Sequence, residues 1–89
     1  MIKDTLTIIN KLGLHARAAA KLMNITTRFD AEITLSKDNK TANAKSILSV
    51  MMLSAKQGST VELMIDGADE ANAHAQIKAL IENKFDEAE

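Results

Sequence analysis

His15 and Arg17 stand two residues apart in "GLHARAA" (Gly13 to Ala19), where a loop turns into a helix. The backbone N–H groups of a first helical turn have no intrahelical partner. With the positive end of the helix dipole they form a site for an anion. A phosphoryl group carried on the imidazole would meet those donors directly. The same positive end disfavours a cationic ring and keeps the imidazole nucleophilic at neutral pH. Arg17 can aim a planar fork of donors at phosphoryl oxygens. The small residues that follow leave the ring open to a partner. A surface histidine beside a solvated arginine meets the same spacing, and on spacing alone that plainer reading is preferred.

A second helix entry lies at "AKSILSVMML" (Ala44 to Leu53), where the Ser46 hydroxyl can cap. If Val50 and Leu53 face a sheet, Ile47, Leu48 and Met51 fall wholly or partly outside the buried stripe. Exposed apolar side chains beside an anion site read as a docking patch. A wide buried face is the plain alternative, and Met52 fits it. Phosphorylating Ser46 would set charge beside that apolar surface, which the helix end tolerates and docking does not. Metal ligation fares worse, because cysteine is absent and His74, the only other histidine, lies far along the chain. His74 falls at the edge of an apolar stripe and reads as a boundary residue. A Ser–His hydrolase would need an orienting acid and an oxyanion hole, and no motif marks them.

The elements that must position these residues follow from periodicity. Residues 2–9 alternate, with Ile2, Leu6 and Ile8 on one parity, and predict a half-buried strand. A loop with Gly13 precedes a helix over residues 16–28, with Ala19, Met23 and Thr26 on one face. A strand over 31–36, the polar turn "KDNK" and a short strand over 41–43 come next. The Ser46 helix runs on through "ILSVMMLSAK" and stops at Gly58. Val61, Leu63 and Ile65 mark a fourth strand. Asp69 caps a last helix with a stripe of Ala73, Ile77, Leu80 and Ile81. The acidic end "FDEAE" is expected to fray. The order is βαββαβα: one α+β domain spanning 1–89, an open-faced sandwich whose four-stranded antiparallel sheet carries three helices on one face. A ferredoxin-like arrangement shares the first six elements.

Composition narrows the function classes. The 89 residues carry a net charge of −1, which gives no pull toward phosphate backbones or anionic membranes. With two Phe and no Trp or Tyr, stacking of single-stranded bases is nearly excluded. The start "MIKDTLTIIN" shows neither a basic leader nor a long apolar run, so a cytoplasmic protein without membrane insertion is expected.

On "GLHARAA", "AKSIL", "VMML" and the element order, the chain resembles the HPr family of histidine-containing phosphocarriers of the bacterial phosphotransferase system. The resemblance covers essentially the whole chain. It implies that the histidine at His15 is phosphorylated on Nδ1 by Enzyme I, drawing on phosphoenolpyruvate, and passes the group to a histidine of a IIA domain. Arg17 matches the active-site arginine, and Ser46 matches the serine that an HPr serine kinase/phosphorylase modifies in many members. Ala20, Ile47, Leu48 and Met51 match the shared docking surface. No cofactor and no metal in this chain are implied; a monomer suits a shuttling carrier. Ala18 departs from the proline common at that position, which preorganises a first turn without being needed for chemistry. "NKLGLHARAA" and the acidic end look similar to the nitrogen-branch carriers, which serve a regulatory IIA. A regulatory binding module of the same fold, controlled through Ser46 without relaying phosphate, is the competing reading.

Overall fold

Strand β1 (Ile2–Thr7) turns Leu6 into the core and leaves Lys3, Thr5 and Thr7 exposed, the period of two that its residues predict. In the computed structural model, which describes residues 1–89, α1 (Ala16–Thr26), β2 (Glu32–Lys37) and β3 (Lys40–Asn43) follow. Then come α2 (Ile47–Met51), β4 (Thr60–Asp66), α3 (Glu70–Glu82) and a 3-10 turn at Lys84–Asp86. All pairings are antiparallel in the order β1-β4-β2-β3, so the sheet is the four-stranded one expected, with the helices on one face. Leu6 faces Val61, Ile33 faces Ile65 and Leu35 faces Leu63, which places one apolar layer beneath the helices. The other face is polar, with Thr5, Ser36, Thr41, Thr60 and Glu62 around an open hollow.

The β2–β3 hairpin closes through Asp38 and Asn39, both with positive φ (50° and 68°), as a two-residue turn of matching twist requires. Ala18, Ala19 and Leu22 of α1 and Ile77 and Ile81 of α3 fill the core above the sheet. Burial of each large aliphatic side chain stabilises by roughly 1.5–3 kcal/mol. Thr26 is buried and donates its hydroxyl to the Ala44 carbonyl at 2.8 Å, so its polar group costs little.

Several boundaries differ from expectation. β1 ends at Thr7; Ile8 stays in the core but pairs through Ser59 and Gly58 with the loop before β4. Helix α1 stops at Thr26 because Phe29 turns inward, and its buried stripe is Ala18, Ala19, Leu22 and Thr26, with Met23 only half-buried. Helix α2 ends at Met51 instead of running toward Gly58. Ser54 takes a left-handed φ of 53°, which ends the helical path, and Ala55 drops into the core. Met52 is 67% exposed and joins no buried face. Asp69 does stand at the N-cap of α3, but its carboxylate accepts from the Asp30 and Ala31 amides at 2.9 and 3.0 Å. It therefore ties the α1–β2 connection to α3 and makes no side-chain cap.

The end of the chain departs most. Lys84, Phe85 and Asp86 adopt left-handed φ in succession (57°, 55° and 61°), and the Phe85 side chain is wholly buried. Three non-glycine residues in that region cost roughly 1–2 kcal/mol each. Burial of the phenyl ring offsets part of that cost. The Lys21 ammonium donates to the Phe85 carbonyl at 2.7 Å, and the Lys11 amide to the Glu89 carbonyl at 2.8 Å. The acidic end is thus docked, not frayed. His74 bonds Asp4 at 2.8 Å between α3 and β1, and this bond is foremost in holding the Asp4 carboxyl below its usual range.

Candidate functional site

Gly13 sets the approach to His15. Its φ is +66°, and a Cβ there would lie 2.4 Å from the Ala55 carbonyl oxygen, so both conformation and space demand glycine. The Gly13 amide donates to the Asn10 carbonyl at 3.2 Å, and the Leu14 amide to that of Ala55 at 2.9 Å. These bonds deliver His15 to the N-cap of α1 in an extended conformation (φ −76°, ψ 176°). Its imidazole makes no capping bond and no acidic residue occupies the first turn, so the free amides there stay open to an anion. Ala18, in the first turn, packs wholly buried.

The ring and Arg17 line one open cleft of about 350 Å³, rimmed by Lys11, Leu12 and Glu87. The imidazole side chain is 27% exposed, less open than its small neighbours suggest, because Glu87 covers it. Nε2 of His15 lies 2.5 Å from Oε2 of Glu87. The other Glu87 oxygen accepts from the Asn10 side-chain amide at 3.0 Å. That bond, with lesser help from His15 and Lys21, holds the Glu87 carboxyl below the usual carboxylate range against the opposing push of burial. An ionised carboxylate only accepts hydrogen bonds. The ring atom facing it therefore carries the proton, and in a neutral ring the lone pair sits on Nδ1.

Ser46 caps α2, its hydroxyl accepting weakly from the Ser49 amide at 3.4 Å. Helix α2 packs against α1, the helix that carries Ala20. Leu48 is 70% and Met51 37% exposed, Ile47 leans partly on the core, and Ala20 is half-buried on α1. Leu12 and Met52 are exposed as well. Sequence reasoning missed Glu87 and Asn10. The signal for Glu87 was Phe85, a lone aromatic anchor inside an otherwise acidic end. Asn10 carried none, since asparagine in a glycine-containing loop reads as turn chemistry.

No cluster of three or more His, Cys, Asp or Glu is arranged to hold a metal ion, and no helix is long and apolar enough to cross a membrane. The family model described as "PTS HPr component phosphorylation site" matches residues 2–83. Phosphocarrier protein HPr of Cupriavidus necator is 49% identical over 89 residues, covering 100% of both chains. Phosphocarrier protein NPr of Shewanella violacea is 49% identical over 87 residues, covering 98% of this chain and 96% of its own. Among solved structures, HPr of Thermoanaerobacter tengcongensis superposes with a TM-score of 0.95 at 44% identity, covering 100% of each chain.

Proposed function

The chain belongs to the HPr family of the phosphotransferase system, and from that premise we propose that His15 is the residue on which it carries phosphate. It acts as a phosphocarrier, taking a phosphoryl group that originates in phosphoenolpyruvate from Enzyme I and handing it to a IIA protein or domain. The observation that supports the choice of His15 is its placement: an imidazole at the N-terminus of α1, in one cleft with Arg17, its Nδ1 lone pair free for attack. Arg17 holds the transferred oxygens, and the open first-turn amides lie at the same end of the helix. The carrier lowers little of the barrier itself; positioning between two partner active sites does that work.

Ala20, Ile47, Leu48 and Met51 form the surface that both partners cover in turn, which suits a cytoplasmic monomer made of the single domain 1–89. Incubation with phosphoenolpyruvate, magnesium and a bacterial Enzyme I adds one acid-labile phosphoryl group, read by intact mass. No gain with the cognate Enzyme I would leave a regulatory module that binds partners without relaying phosphate.

Ser46 is the regulatory position, a substrate for an HPr serine kinase where one is present. Charge there meets the exposed Leu48 and Met51. Ser46→Asp slows transfer from Enzyme I by about tenfold, equal to about 1.4 kcal/mol of lost docking energy. Stopped-flow rates equal to the parent's would place the docking surface elsewhere.

A further inference from the structure

We propose that Asn10 is a positioning residue for phosphoryl transfer, acting through Glu87 to keep the proton of His15 on Nε2. The proposal rests on the reading of His15 as the phosphoryl carrier and adds what governs its reactivity. Asn10 is completely buried beneath the cleft. Its amide nitrogen donates twice, to the Gly13 carbonyl at 2.8 Å and to Oε1 of Glu87 at 3.0 Å. Both partners are pure acceptors, which fixes the NH2 group on that side of the amide. One side chain thus ties the loop that delivers His15 to the carboxylate that grips its ring. The side-chain oxygen Oδ1 of Asn10, in contrast, is buried with no partner. A fully buried amide with an idle acceptor is a poor core residue, and its placement is explained by what the NH2 group holds. The left-handed turn at Lys84–Asp86 points the same way, since strained backbone gathers where a group must be aimed.

The consequence for transfer follows from where the proton sits. With the proton on Nε2, Nδ1 attacks the phosphorus of the donor, the donor's bond to phosphorus breaks, and that electron pair stays with the donor. The product ring carries phosphate on Nδ1 and the original proton on Nε2. In the second step the acceptor imidazole of IIA attacks phosphorus. The Nδ1–P bond breaks, its electron pair returns to Nδ1, and His15 departs as a neutral imidazole. A ring stripped of the Nε2 proton would have to leave as an imidazolate, a far poorer leaving group. Glu87 is the anion bonded to the ring. The cations nearby are Arg17 and Lys21 from α1 and Lys11 from the loop, and Lys11 is paired with Glu89 at 3.2 Å. The Glu87 carboxylate accepts the ring hydrogen and so favours the tautomer that carries it on Nε2.

The test uses the full chain, Glu87→Gln, Asn10→Ala and the double variant, each phosphorylated by Enzyme I and phosphoenolpyruvate and then mixed with a IIA protein. Transfer rates are followed by stopped flow, and the ring tautomer by nitrogen NMR. In both single variants transfer to the IIA protein slows by about tenfold. The Nδ1–H tautomer gains population in both. Adding Asn10→Ala to Glu87→Gln changes nothing more, because the asparagine acts through the carboxylate. Glu87→Gln keeps the size and shape of a half-buried side chain outside the apolar core, so this variant stays folded even if Asn10→Ala does not. Rates and tautomers that coincide with the parent's in Glu87→Gln overturn this proposal alone. A parent chain that takes up no phosphoryl group from Enzyme I overturns the reading of His15 and this proposal together.

Discussion

His15→Ala accepts no phosphoryl group from Enzyme I, and its thermal midpoint stays within about 5 °C of the parent's. The loss is complete because the substitution removes the attacking nitrogen and no second nucleophile replaces it. His74, the other histidine, is held by Asp4 between α3 and β1, outside the cleft. The fold survives because the imidazole stands at the helix entry and not in the core; it gives up one hydrogen bond to Glu87. A hydrogen bond of this kind contributes about 1 kcal/mol. Intact mass after incubation with phosphoenolpyruvate, magnesium and Enzyme I reads the first half of the prediction, and circular dichroism on heating reads the second. A variant that still gains an acid-labile phosphoryl group would move the carrier site off His15.

Phe85→Ala lowers stability by about 3 kcal/mol, the usual cost of truncating a buried phenylalanine. The ring is fully buried under α1 and α3 and is the one large apolar group in the terminal turn. Without it, three consecutive left-handed residues lose the burial that holds them, and the turn relaxes. The bonds from Lys21 to the Phe85 carbonyl and from Asn10 and His15 to Glu87 then go with it. Urea unfolding gives the free energy, and amide exchange at Lys11, whose N–H is held by the Glu89 carbonyl, reports release of the tail. A midpoint unchanged from the parent's, with Lys11 still protected, would show that the ring does not anchor this end.

The architecture was legible because each strand writes its buried face in a period of two. Leu6, Ile33, Leu35, Val61, Leu63 and Ile65 alternate with residues that are polar except for Met64, and are all buried as their parity requires. His15, Arg17 and Ser46 were legible for another reason: each opens a helix, and the chemistry of a helix entry depends on neighbours only a few residues away. Local signals were weaker where tertiary packing competes with propensity. "ILSVMMLSAK" reads as a long helix, yet one turn forms before Ser54 reverses the chain and sends Ala55 under Gly13. Asp69 reads as a cap, yet its carboxylate is claimed by two amides of a distant loop.

Residue types and spacing alone therefore determined the sheet, the helices on one face and the pair His15–Arg17, all of which depend on contacts within a few residues or on a repeating period. The tertiary structure alone decided the protonation geometry of His15. Glu87 and Asn10 lie 72 and 5 positions from that histidine and meet around it because a buried Phe85 and a left-handed turn fold the acidic end back. No periodicity encodes that return. It is fixed by the fit of one aromatic ring into a core that exists only after the rest of the chain has folded.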